Sequence, residues 1–152
     1  MSFLRSTSST VKNSMNDRPF IDTNILVYAF ATVKGAPPDS RTLRAHEIVT
    51  RGGVISVQVL NEFVQVCRRK ARLDWNHVTQ ALDAIKSLFE PVVPITIQTH
   101  ESAVQLAHRH DLNIYDALIV AAAREAGCDI LYSEDLQHGQ TIGKVKIVNP
   151  FL

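Results

Sequence analysis

Cysteine is scarce: the 152 residues contain two, Cys67 and Cys128, with no CxxC and no Cys/His spacing. That pattern excludes a disulfide framework and predicts reduced thiols packed in apolar helical surroundings. Long hydrophobic runs are missing too, since no apolar stretch reaches the roughly 18 residues of a membrane span. The N-terminus also lacks the apolar centre of a secretory signal, so a cytoplasmic protein that avoids the membrane is expected. Charge of one sign is absent as well. A formal net charge of +1 rules out an overall basic blanket for nucleic acid, while leaving room for a local patch. No internal repeat and no linker to a second domain is found.

What is present is an ordinary globular composition, 45% apolar and 20% charged, in a chain long enough for one domain with a real core. Residues 1–17 are rich in Ser, Thr and Asn without periodicity and read as a flexible tail, leaving 18–152 as the folded domain. There Pro19-Phe20-Ile21 reads as a short strand that runs into Asp22 and the apolar segment Ile25 to Ala31. Gly35, Pro37 and Pro38 mark a loop over Val33 to Ser40. A helix over about Arg41 to Thr50 ends at Gly52-Gly53.

Val54-Ile55-Ser56 predicts a buried strand, and Val57 to about Arg72 an amphipathic helix whose polar side carries Gln58, Glu62, Gln65 and Arg69. Further helices are expected over Trp75 to Phe89, Thr99 to His110 and from Ile114 until Gly127. Val92-Val93, Asp129 to Tyr132 and Val145 to Val148 read as strands. Strands alternating with helices predict an α/β fold with a mostly parallel sheet covered on both faces.

Four acids stand out by position. Asp22 follows a strand and precedes a helix, where it serves either as an N-cap or as a group facing the crevice in which open α/β sheets bind ligands. Glu62 lies on a glutamine-rich stripe that suits either solvent or the wall of a cleft. Asp116 heads IYDALIVAAA, a helix apolar nearly all round and therefore buried, so its carboxylate requires a partner. With Asn113 as N-cap, one partner is the cap amide and the other is a cation. Asp135 follows a strand in Ser133-Glu134-Asp135, where Glu134 competes with it as the functional acid.

Parallel sheets bring such positions together, and clustered carboxylates take up protons unless a cation compensates. Oxygen-rich sites of this kind suit Mg2+ or Mn2+. Arg68, Arg69 and Lys70 on the Glu62 helix are candidate phosphate contacts, and equally candidates for complementing the helix dipole. His108, His110 and His138 form no ligand pattern with the acids.

Four segments, FIDTNILVYAF, VLNEFVQVCRRK, IYDALIVAAAREAGCDILYSEDL and the ending IVNPF, together resemble the PIN domains, above all the ribonuclease toxins of VapBC toxin-antitoxin pairs. They span about Pro19 to Phe151 in that family's order. The resemblance implies a three-layer α/β/α sandwich and a metal-dependent endoribonuclease, the toxin of a type II toxin-antitoxin pair. Asp22, Glu62, Asp116 and Asp135 would be its acidic quartet, with Asn24 and Ser133 as supporting polar residues and Asp22 and Asp116 as direct Mg2+ or Mn2+ ligands. It further implies an RNA substrate, hydrolysis leaving a 5′-phosphate and a 3′-hydroxyl, a cognate antitoxin and a homodimer.

Leu136-Gln137-His138-Gly139 departs from the aromatic residue that many members place after the last Asp. Two rival readings stand beside this one. One is a PIN-like module that binds RNA or protein without cutting. The other is an aspartyl phosphatase resembling the haloacid dehalogenases, although Asn24 stands where that family has a second acid.

Overall fold

The computed structural model describes residues 18–31 and 35–152. The expected tail at 1–17 and part of the expected loop at 33–40 lie outside the described residues. The elements in chain order are β1 (Phe20–Ile21), α1 (Thr23–Phe30), α2 (Ser40–Arg51), α3 (Val57–Arg69), α4 (Trp75–Leu88), α5 (Ile97–His110), α6 (Ile114–Glu125), β2 (Ile130–Tyr132), β3 (Thr141–Ile142) and β4 (Val145–Val148). The sheet order is β1-β2-β4-β3, with β1/β2 and β2/β4 parallel and β3/β4 antiparallel. This is the α/β architecture with a mostly parallel sheet.

The strands expected at Val54–Ser56 and Val92–Val93 shrink to single parallel bridges, Phe20 with Val54 and Ser56 with Val93. Pro91 and Pro94 flank the second of these and offer no N–H to extend a ladder. Backbone bonds still tie them in, with Ile21 N donating to Val54 O at 2.9 Å and Val93 N to Ile55 O at 2.9 Å. The hairpin strand β3 was not expected, because two residues carry no readable alternation; its turn uses Gly143 at φ +62.

Side-chain caps start the helices. Asp39 accepts from Thr42 N, Asp74 from His77 N and Thr96 from Thr99 N, each satisfying an amide that the first turn leaves unpaired. The last cap starts α5 at Ile97, two residues before the expected Thr99. At the other end of α2, Gly52 takes φ +83, and a Cβ on Gly53 would lie 2.7 Å from Ile21 Cγ1 and 2.8 Å from Pro19 O. Only glycine lets this turn press against β1.

Helix α6 is buried at every position from Ala117 to Ala123 and packs against α5, α3 and β4. Phe20, Phe63 and Phe89 are fully buried in the same core, each worth about 1.5–3 kcal/mol over its exposed state. Cys67 and Cys128 are buried and free. Among the described residues, no helix is long and apolar enough to cross a membrane.

Candidate active site

The site begins where β1 meets α1. Pairing of Ile21 with Tyr132 in the parallel ladder makes Asp22 and Ser133 the next residues across, just beyond the strand ends. Ser133 Oγ donates to Asp22 Oδ2 at 2.7 Å, and Thr23 N donates to Asp22 Oδ1 at 2.7 Å. Asp22 is therefore the N-cap of α1, placed just past the carboxyl end of β1.

Asp22 is 3% exposed, and burial pushes its carboxyl up from 3.8 to about 7. The bonds from Ser133 and Thr23 oppose that rise, while the nearby charges of Glu62 and Asp135 add to it.

Glu62 sits half-buried on α3 and accepts two bonds, from Thr23 Oγ1 to Oε2 at 2.8 Å and from Gln58 Nε2 to Oε1 at 3.1 Å. Thr23 thus serves two acids, its amide binding Asp22 and its hydroxyl binding Glu62. Neither Thr23 nor Gln58 was singled out from sequence as a partner of Glu62. The available signals were a hydroxyl directly after Asp22 and an amide one helical turn before Glu62.

Asp116 occupies the third position of α6, where its amide donates to Asn113 Oδ1 at 2.9 Å. Its Oδ2 accepts from the Asn113 side-chain amide at 2.8 Å, in place of the backbone amide that a capping box would use. A carboxylate one carbon shorter than glutamate reaches the cap's side chain, not its backbone. Burial raises the Asp116 carboxyl above its ordinary value, and the charges of Glu62 and Asp135 raise it further.

Asp135 lies in the turn after β2, exposed, with its amide donating to Ser133 Oγ at 3.2 Å. Glu134 is drawn elsewhere. Its Oε2 accepts from Tyr28 Oη at 2.7 Å, and its Oε1 pairs with Arg41 at 3.2 Å. Glu134 thus ties α1, α2 and the β2 turn together, whereas Asp135 forms no ion pair among the described residues.

The remaining candidates divide. Asn24 has both side-chain amide atoms buried without a hydrogen-bond partner among the described residues, so it joins none of the bonds above. Arg68 is occupied locally, donating to Leu73 O at 2.8 Å with its guanidinium 4.6 Å over the Trp75 ring. These contacts hold Arg68 at the α3–α4 turn. Arg69 and Lys70 are exposed at the end of α3. His138 Nδ1 accepts from Asn149 N at 2.9 Å, away from the acids.

The donor set is chemically suited to a hard divalent cation. Among the described residues, none of the four acids forms an ion pair with Lys, Arg or His, and Asp22 is buried all the same. A buried carboxylate without a cationic partner either holds a proton or takes a metal ion. The side chains do not stand ready-closed, however. Among the described residues, no three His, Cys, Asp or Glu side chains come together as a set that would hold an ion. Asp135 is exposed, whereas Glu62 and Asp116 are half-buried and Asp22 is buried.

The fold is α/β, and Asp22, Ser133 and Asp135 follow the carboxyl ends of the parallel strands β1 and β2. Residues 20–142 match the PIN domain, and the chain belongs to that family. Among solved structures, the chain is similar to one described as a toxin-antitoxin complex from Klebsiella pneumoniae, at 23% identity and a TM-score of 0.63, over 87% of this chain and 97% of that one. It is also similar to Mycobacterium tuberculosis VapC20, a sarcin-ricin loop cleaving toxin, at 24% identity and a TM-score of 0.60, over 76% of this chain and 88% of that one. At these identities the likeness is one of fold. No curated protein matches the sequence significantly.

Proposed function

We propose that residues 18–152 form a Mg2+- or Mn2+-dependent endoribonuclease domain, the toxin of a type II toxin-antitoxin pair. The observation that carries this reading is Asp22, buried and paired with no Lys, Arg or His among the described residues, with the charges of Glu62 and Asp135 nearby, in a chain of the PIN family. Asp22 and Asp116 would hold the ion, with Glu62 and Asp135 as further ligands, directly or through water. Bound there, the cation supplies charge neutralisation at the scissile phosphate and acidifies water.

The chain's own groups do the rest. Thr23 and Gln58 occupy both oxygens of Glu62 and fix its rotamer, while no described donor engages the Asp135 carboxylate. Asp135 is therefore the better-placed acceptor for the proton of the attacking water. Ser133 orients Asp22, and Arg69 and Lys70 are left as candidate contacts to the RNA backbone.

Likeness in fold to a toxin-antitoxin complex supports a protein antitoxin as partner, and a homodimer is proposed as the toxin's own assembly. Two buried free thiols suit the reducing cytoplasm. Membership of the PIN family sets aside the phosphatase reading. One observation favours the non-cleaving module instead, namely that among the described residues no three His, Cys, Asp or Glu side chains stand together as ligands.

The deciding experiment incubates the purified chain with a broad RNA pool in Mn2+ or Mg2+, with and without chelator, and sequences the product ends. Chelator-sensitive cuts bearing 5′-phosphates support the nuclease. An intact pool in both metals overturns it in favour of the binding module.

A further inference from the structure

Beside Glu62 a groove of about 460 Å3 runs along α3, lined by Gln58, Asn61, Glu62, Gln65 and Val66, with Tyr115 of α6 completing it. Residues 58, 61, 62 and 65 recur at helical spacing, so the glutamine-rich stripe forms one continuous wall. Tyr115, directly before Asp116, is 60% exposed. The groove holds no cation, and its one charged side chain is an acid. A phosphate is therefore a poor occupant, whereas a flat, neutral, hydrogen-bonding group is a good one.

We infer that this groove is a nucleobase subsite, in which one unpaired base of the substrate stacks on the Tyr115 ring while Asn61 and Gln65 meet its edge. The inference rests on the ribonuclease reading for its substrate. Asparagine and glutamine amides present a donor and an acceptor side by side, the pattern that pairs with a base edge. Asn61 and Gln65 are exposed and free to do so, whereas Gln58 spends its Nε2 on Glu62 at 3.1 Å.

A base inside a duplex is stacked on both faces and cannot reach the ring, so the subsite selects single-stranded or looped RNA. Because Tyr115 adjoins Asp116 and the wall carries Glu62, the bound base sets which phosphodiester lies over the acids.

The test has two arms. In the first, fluorescence anisotropy in EDTA compares binding of a short labelled single strand and its duplex to wild type, Tyr115→Ala and Tyr115→Phe. Single-strand affinity should fall about 5- to 150-fold in Tyr115→Ala, the span of one lost base stack, with Tyr115→Phe close to wild type and duplex binding unmoved. In the second, RNA carrying 5-iodouridine is irradiated with the wild-type protein in EDTA, and the cross-link should map to Tyr115.

Single-strand binding that is absent in wild type or unchanged in Tyr115→Ala, or a cross-link elsewhere, overturns the subsite. Tyr115-dependent binding without cleavage in Mn2+ would sink the ribonuclease reading and leave the subsite standing. Cleavage with Tyr115-independent binding does the reverse.

Discussion

Ser133 Oγ donates to Asp22 Oδ2 at 2.7 Å while accepting from the amides of Asp135 at 3.2 Å and Leu136 at 3.3 Å. A hydroxyl has one donor and two acceptor positions, and all three are engaged here. One small, fully buried side chain therefore couples the first acid of the crevice to the turn that carries the last.

Replacing that hydroxyl tests the coupling. In Ser133→Ala the buried Asp22 oxygen and two amides lose a partner, and stability should fall by about 1–3 kcal/mol in urea unfolding. The lost bond favours the charged form of Asp22, so its carboxyl should rise further above about 7. The acid limb of a pH–rate profile should move to higher pH with it. An unmoved limb would show that Ser133 does not hold Asp22.

Asp116→Asn keeps the side-chain volume and the contact with Asn113 within reach, so folding should survive. RNA hydrolysis should drop by more than about 100-fold, beyond the range typical of losing an outer-sphere partner of a metal. Circular dichroism alongside a cleavage assay separates the two effects. Retained activity would remove Asp116 from the site.

The raised carboxyl of Asp22 also sets the sign of a pH dependence. Folded, the group keeps its proton up to about pH 7, whereas its ordinary value is 3.8. The folded state thus binds more protons over that window, and its stability is fullest below about pH 4 and declines towards pH 7 and above. Asp116, shifted the same way, adds to the trend. Asp39 and Asp74, lowered by their cap amides, act in the opposite direction only below about pH 4. The metal-free protein should therefore melt lower at pH 8 than at pH 5. Added Mn2+ should raise the melting temperature more at pH 8, since ion and proton compete for the same oxygens. A rise that is equal at both pH values would place the ion elsewhere.

Glu134 gives the contrasting case. Glu134→Gln keeps a group that can accept from Tyr28 but loses the charge paired with Arg41, so thermal stability should fall modestly. Cleavage should stay within about twofold of wild type, the scale of a substitution outside the reacting groups. A large loss of turnover would return Glu134 to the site.

Helices α2 to α6 were legible in the sequence because their signals are local. Asp39 and Asp74 cap through amides three residues away, and the apolar spacing of α3 needs no knowledge of what covers it. The short sheet was less legible. Val54–Ser56 and Val92–Val93 look like strands by composition yet make one bridge each, and β3 is too short to show alternation. The acids could be picked out because two follow strands, one lies on a polar stripe and one heads an apolar helix, but most of their hydrogen-bond partners could not.

By itself, then, the sequence determined which segments become helices, and that three carboxylates would stand near element ends and a fourth, Glu62, on a helix stripe, since both follow from spacing along one chain. Only the tertiary structure decided what those carboxylates meet. The β1–β2 register sets Ser133 against Asp22, and packing of α1 on α3 delivers the Thr23 hydroxyl to Glu62. A Tyr28–Arg41 clasp takes Glu134 and leaves Asp135. Register, helix packing and desolvation depend on partners far away in sequence, and whether an acid holds a proton or waits for a cation depends on which of those partners covers it.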